Sequence, residues 1–539
     1  MKDKDWDDAL TVRTRAGWVR GVKEPLGDGA SVRSWRGVPF GADTSGARRF
    51  CGPHPPKAWD GVRDCTEFGP VAPQSTYSWT DKVVGSEDCL NLDVVRPGHS
   101  GGLPVVVYFH GGSFFMGSSH MVMLRGFQLA HTMDVVYVSV NFRLGALGYL
   151  DMRSLDGHAC ANPAMADQIL ALEWVRDNIA AFGGDPDDVT LMGESAGGAA
   201  VLALMTSPAA EGLFHKAIAQ SPPIATVHSR TQSTLWVRKL VERLELPRMS
   251  SIDDIRAQDF ADIIRAGQSM MWRGRGLLNL NSSFAPTVDG DILPEHPLAV
   301  FERGGQHPVP LLIGTNSDEA SVGKFLFQRQ FARRRGGLRL LSSFDAKGAE
   351  FVVEAYNGAT TRADFAQLLT DALFWAPAVA VAGAHSEVAP TYMYRFDFAP
   401  VALEALGLGA LHSLELSHIF GDPESSRMSV LTRLGSTAQS DALSELMQAH
   451  WARFIHQAAP GKTWPRYQVA PRAGAGLQPG GQPAVQGQRL TQVFAAQSYV
   501  ESDPHKLRRR AWEHCDMREW GAGRPDLAEE LGFILDTLD

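Results

Sequence analysis

Three features of the sequence predict an α/β protein built on a large, mostly parallel central sheet flanked by helices. The first is a pair of unbroken apolar runs, Pro104–Phe109 (PVVVYF) and Asp134–Phe142 (DVVYVSVNF), the pattern of strands buried on both faces. The second is a helical period over Ala166–Phe182, where Ile169, Leu172, Val175, Ile179 and Phe182 recur three and four apart before Gly183-Gly184 ends the run. The third is a strand at Asp188–Met192 (DVTLM) that passes through a glycine-rich turn into a small-residue helix starting near Ala196. Strands alternating with helices in this order build parallel sheets with helices on both faces.

Further strands are expected at Lys216–Gln220, Val309–Ile313 and Thr391–Phe398, and a long helix at Ser440–Gln457. Residues 1–50 carry short β-prone runs broken by glycines, which predicts a small antiparallel edge sheet. Residues 222–390 read as mostly helical insertions roofing the site, and Ala470–Gln488, rich in Gly, Pro and Gln, reads as a loop. No internal repeat is visible in the 539 residues, and length alone leaves the domain count open, since a large α/β enzyme can grow one sheet-based domain by inserting helices into its loops.

Composition narrows the function. With 44% hydrophobic and 21% charged residues, the chain can bury an ordinary enzyme core. A net charge of −9 offers no basic face for nucleic acid, and Arg333–Arg335 and Arg508–Arg510 are isolated runs. The amino terminus lacks an apolar signal core, and no stretch looks long enough to cross a bilayer, so a cytoplasmic protein without a membrane partner is expected. Five scattered cysteines suit reduced thiols. His412 and His418, six apart, fall on different faces of a helix, and no HExxH occurs, so neither a metal nor another cofactor is expected.

The chemistry gathers at Gly193-Glu194-Ser195-Ala196-Gly197. With 53 glycines in the chain, GxSxG alone is a weak signal. Here it lies between a strand and a helix, the setting in which a strained turn lifts a serine hydroxyl above a sheet, as in an α/β-hydrolase. A serine that attacks an acyl carbon also needs backbone N–H donors for the oxyanion. Pro104–Phe109 runs straight into His110-Gly111-Gly112-Ser113-Phe114, placed as an HGGG-type loop would be, and Ala196 offers a further donor. The base and the acid stay open at this level. Eleven histidines follow Ser195, and Asp318 and Glu319 are both suitably placed.

Together these motifs resemble the type-B carboxylesterase family, and the likeness runs through nearly the whole chain. It includes Trp35–Phe40, Arg49-Phe50, Ser86–Leu92, Val140–Gly145, Trp174–Ser195, Leu213–Ser221 and Pro286–Gly290. The resemblance implies that Glu319, in Gly314–Glu319, is the triad acid and that His412, in Gly409–Leu416, is the base. It maps the oxyanion donors to Gly112, Ser113 and Ala196. Glu194, beside the nucleophile, is read as a supporting charge and Ser221 as a supporting hydroxyl, neither of which the mechanism requires. By the same resemblance and by loop position, Phe114, Phe115, Met116, Trp79, Phe374 and Trp375 are candidates for an apolar substrate pocket.

The chain departs from the family at Ser113, where a glycine or alanine is usual, at Pro222, and at Asn162–Met165. The family's first disulfide would pair Cys89 with position 72, which is Ala72, so Cys89 is expected to be a buried free thiol. The resemblance implies a single α/β-hydrolase domain over residues 1–539 and hydrolysis of carboxylic esters of small to medium apolar or aromatic acids or alcohols, by a monomer or homodimer. Amidase, lactonase and polyester hydrolase chemistry would use the same residues, and a non-catalytic adhesion-type homologue would lack the triad.

Overall fold

The apolar runs become the middle of an eleven-stranded sheet in the computed structural model, which describes residues 10–27, 29–76, 82–99, 101–272, 283–325, 330–342, 345, 347–422, 437–469 and 488–519. In chain order the strands are β1 (Val22–Pro25), β2 (Ser31–Pro39), β3 (Asn91–Pro97), β4 (Leu103–Phe109), β5 (Val136–Val140), β6 (Gly184–Glu194), β7 (Lys216–Gln220), β8 (Leu311–Asn316), β9 (Thr391–Phe396), β10 (Leu490–Phe494) and β11 (Tyr499–Ser502). Their order across the sheet is β11-β10-β9-β8-β7-β6-β4-β5-β3-β2-β1. From β10 to β5 every neighbour is parallel, while β11 at one edge and β3, β2 and β1 at the other are antiparallel.

Every residue of β4, β5, β7, β8 and β9 is buried. Alternation decides which layer each side chain joins. Val105, Val107 and Phe109 point into one core and Val106 and Tyr108 into the other. The first core receives helices Pro163–Asn178 and Ala196–Leu204. The second receives Phe127–Met133 and, through Leu443, Met447, Trp451 and Phe454, Thr437–Gln457. Asn162, one of the departures from the family pattern, holds the Thr287 N–H and carbonyl and the Asp289 carboxylate, all within 2.8 Å.

Three sequence expectations are revised. The amino-terminal strands do not form one antiparallel sheet. Thr11–Arg13 and Trp18–Arg20 pair antiparallel and add Val62–Asp64 in parallel, whereas β1 and β2 extend the main sheet. The reason is register, since β2 finds its partner in β3, a strand not anticipated as such. Second, one continuous helix, Arg362–His385, is 24 residues long and apolar enough to cross a membrane, although none was anticipated. A π-helical turn at Asp371–Trp375 joins what would be two helices, and 83% of its most apolar window is buried inside the protein. Third, the strand expected at Val309–Ile313 starts two residues later and runs to Asn316, which delivers the next loop to the sheet's carboxyl edge. The loop expected at Ala470–Gln488 lies, except for Gln488, outside the described residues.

Candidate active site

Parallel strands deliver their following loops to one edge of the sheet, where open α/β folds hold their sites. β6 ends at Glu194 and the next helix starts at Ala196, so the chain reverses at Ser195 alone, with φ 57° and ψ −124°. A non-glycine residue there stores about 1–3 kcal/mol of strain, so its surroundings must hold it. They hold it through backbone contact. A Cβ on Gly197 would lie 1.9 Å from the Phe109 carbonyl oxygen, one on Gly193 would lie 2.5 Å from the Gly197 carbonyl carbon, and the Ser195 N–H donates to the Gln220 carbonyl at 2.9 Å.

The acid loop leaves β8 at Asn316. Glu319 Oε1 accepts from the Asn316 N–H at 2.8 Å and the Ser221 hydroxyl at 2.5 Å, while Oε2 lies 2.5 Å from His412 Nδ1. Asp318, the alternative acid, turns elsewhere. Its carboxylate accepts from the Ser317 hydroxyl and the Ala410 N–H, tying the acid loop to the loop that carries His412. Gly409 (φ 63°) makes this tie feasible, because a Cβ there would sit 2.4 Å from Asp318 Oδ2. His412 Nε2 is 2.9 Å from Ser195 Oγ, so a serine, an imidazole and a carboxylate from three separate loops form one line.

Two further carboxylates crowd this line. Glu194 Oε1 accepts from the Ser413 hydroxyl at 2.6 Å and lies 3.2 Å from His412 Nε2. Glu415, fully buried, accepts from Asn316 Nδ2 at 2.7 Å and Gln220 Nε2 at 3.3 Å. Burial opposes an imidazolium at His412, but Glu194, Glu319 and Glu415 outweigh it and hold its pKa above the ordinary value. Burial raises Glu194, with His412 pulling the other way. Burial, Glu194 and Glu319 push Glu415 up to about 8. Such a site holds positive charge on the imidazole readily.

Across from Ser195 lies the loop after β4. His110 is buried and stacked on Phe142 at 4.6 Å, burial pushes its pKa down to about 4, and its Nδ1 sits 2.8 Å from the Gly111 carbonyl. Gly112, Ser113 and Phe114 all have positive φ. A Cβ on Gly111 would lie 2.6 Å from Glu194 Oε2 and 3.1 Å from Ser195 Cβ, so the following peptides are brought beside the serine. Ala196 opens a helix, where first-turn N–H groups lack intrahelical partners.

The pocket candidates divide. The Phe374 ring lies 4.6 Å from that of His412. Phe114 packs edge-on against Tyr149 at 4.9 Å, Phe115 is buried beside Gly145, and half-buried Met116 lies against Gly112. Trp375 does not join them. It packs against His505 and lines a separate cavity of about 590 Å³ with residues such as Leu298, Val379 and Trp512, because adjacent residues on a helix point different ways. Trp79 lies outside the described residues. His418 is buried between Phe396 and Phe398 with Ser417 and Ser440 as its polar neighbours. Cys89 is a buried free thiol. Sequence reasoning missed Glu415, whose one signal is an acidic residue between Leu414 and Leu416.

Known proteins resemble this chain in sequence and in fold. Residues 8–492 match the family model described as "Carboxylesterase family". The para-nitrobenzyl esterase of Bacillus subtilis (strain 168) is 32% identical over 509 residues, covering 93% of this chain and 97% of its own. A cocaine esterase of Oryctolagus cuniculus is 32% identical over 532 residues, covering 90% and 94%. Among solved structures, a PNB esterase superposes with a TM-score of 0.80 at 32% identity over 93% of this chain and 99% of that one. A carboxylesterase of Geobacillus stearothermophilus superposes with a TM-score of 0.78 at 29% identity over 93% and 100%. With relatives this similar over nearly its whole length, an α/β-hydrolase sheet and a serine on its strand-to-helix turn, the chain belongs to the carboxylesterase family.

Proposed function

We propose that this carboxylic ester hydrolase works by two-step acyl transfer on Ser195, with esters of small to medium apolar or aromatic acids or alcohols as substrates. The observation that carries the reading is the unbroken line Ser195–His412–Glu319, with gaps of 2.9 and 2.5 Å. His412 Nε2 takes the hydroxyl proton as Ser195 Oγ bonds to the acyl carbon, and the carbonyl oxygen becomes an oxyanion facing the N–H groups of Gly112, Ser113 and Ala196. The intermediate collapses, the C–O bond to the alcohol breaks, and His412 gives its proton to the departing oxygen. Water then repeats the sequence on the acyl-enzyme and regenerates Ser195.

Glu319 holds the imidazole with Nδ1–H toward its carboxylate, leaving Nε2 to accept, and stabilises the imidazolium. Ser221 and the Asn316 N–H hold Glu319 in turn. The Bacillus subtilis relative's name specifies an ester of an aromatic alcohol, and the ring of Phe374 beside His412 supports a comparable substrate here. A panel of para-nitrophenyl esters of rising acyl length, read against Ser195→Ala, tests the proposal. Turnover by the wild type alone supports it, and equal slow rates in both proteins would overturn it. A fluorophosphonate adduct on any other serine would overturn the assignment of the nucleophile.

A further inference from the structure

The π-helical turn Asp371–Trp375 sets Phe374 over His412, and what holds that turn in place lies outside the site. π-turns cost helix hydrogen-bond geometry and persist where neighbours stabilise them. Asp371, the first residue of the turn, is 1% exposed. Its Oδ2 accepts from the Tyr356 hydroxyl at 2.5 Å and from Arg508 Nη1 at 3.2 Å, and its Oδ1 accepts from Gln367 Nε2 at 2.8 Å. The Tyr356 oxygen also accepts from Trp512 Nε1 at 2.8 Å. Arg508 and Trp512 belong to Lys506–Trp512, a helix near the far end of the chain.

The helix that carries the π-turn, Arg362–His385, also touches the acid loop. Thr370 Oγ1, one residue before Asp371, accepts from the N–H of Ala320, the neighbour of Glu319, at 2.9 Å. One buried carboxylate therefore connects a distant helix to a ring against the imidazole and to the backbone beside the acid. We infer that Asp371, clamped by Arg508 and Tyr356, is a positioning residue that sets the turn carrying Phe374 and so determines which ester groups fit against His412. A solvated ion pair on the surface would contribute little, but this one is anchored at a fully enclosed carboxylate, where loss of one partner is felt. Burial raises the Asp371 pKa while Arg508 and the Tyr356 hydroxyl lower it, so the carboxylate depends on these partners for its charge.

This inference rests on the acyl-transfer reading, and the test separates the two. kcat/KM is measured for para-nitrophenyl acetate and octanoate, and their ratio is the readout. Phe374→Ala is expected to move the ratio toward octanoate by about tenfold, the scale of a pocket contact. Arg508→Ala and Tyr356→Phe should move it the same way by about threefold, and in a Phe374→Ala background they should add nothing. Arg509→Ala, which removes the neighbouring pairs to Asp503 and Glu513 on the same helix, should leave the ratio unchanged whatever it does to Tm. If Arg508→Ala does not fold, the milder Tyr356→Phe decides. The inference is overturned if Phe374→Ala leaves the ratio at the wild-type value. It is equally overturned if Arg508→Ala and Tyr356→Phe keep that value, or if Arg509→Ala shifts it as much as they do. An inactive wild type would instead overturn the acyl-transfer reading.

Discussion

The nucleophile side and the acid–base side of the site are held by different means. Around Ser195, position is a matter of backbone in contact with backbone. Gly197 lies against the Phe109 carbonyl, Gly193 against Gly197, and the Ser195 N–H meets Gln220. Around His412, position is a matter of buried side chains. Ser221 and Asn316 hold Glu319, Ser413 holds Glu194, Asn316 and Gln220 hold Glu415, and Asp318 joins two loops. The first kind of support is steric and short-range, and the second is electrostatic and, apart from the Asn316 N–H on Glu319, joins residues 92 to 219 positions apart.

The two halves should therefore fail differently. The largest effect is expected for Ser195→Ala, with kcat toward para-nitrophenyl butyrate falling about 10⁶-fold while the circular dichroism spectrum stays that of the wild type. Next is Glu319→Gln, which keeps the shape but loses the charge that orients His412, and should lower kcat about 10⁴-fold. A loss below tenfold would mean that Glu194 or Glu415 serves as the acid instead.

Gly197→Ala probes the steric half. A methyl 1.9 Å from the Phe109 oxygen cannot be accommodated without moving backbone, so destabilisation of about 3 kcal/mol or more is expected by urea unfolding, with activity lost in proportion. An alanine variant of unchanged midpoint would break the comparison.

Glu194→Gln probes the electrostatic half. His412 has a raised pKa and accepts a proton only once deprotonated, so the acid limb of the kcat/KM profile reports its folded value. Removing the Glu194 charge favours the neutral ring, and the limb should move to lower pH, with a loss at the optimum of about tenfold. A shift to higher pH would contradict the charge pattern. Smallest is Ser221→Ala, which deletes one of two hydrogen bonds to Glu319 Oε1 and should lower kcat about tenfold or less with KM unchanged.

The same division explains what could be read in advance. The strands at Lys216–Gln220 and Thr391–Phe396 and the helix ending at Gln457 follow the expected spans closely, because hydrophobic periodicity is a local signal. β3 is hard to read from the sequence because Asn91 and Asp93 interrupt its apolar pattern. Both are buried and paired, Asp93 with the Gly37 N–H and the Ser119 hydroxyl. Phe374 and Trp375 are neighbours in sequence, yet of the two only Phe374 reaches His412, since adjacent residues on a helix point different ways.

By itself, the sequence determined the parallel sheet, the strained turn at Ser195 and the glycine-rich loop after β4, since each depends on a few consecutive residues whose backbone preferences are local. It left Glu319 against Asp318, and His412 among the histidines that follow Ser195, to resemblance. Only the tertiary structure decided the roster of carboxylates around the imidazole and the anchoring of the π-turn to a helix more than 130 residues later. Those contacts join residues far apart in the chain, and their strength comes from burial, which no single stretch of sequence encodes.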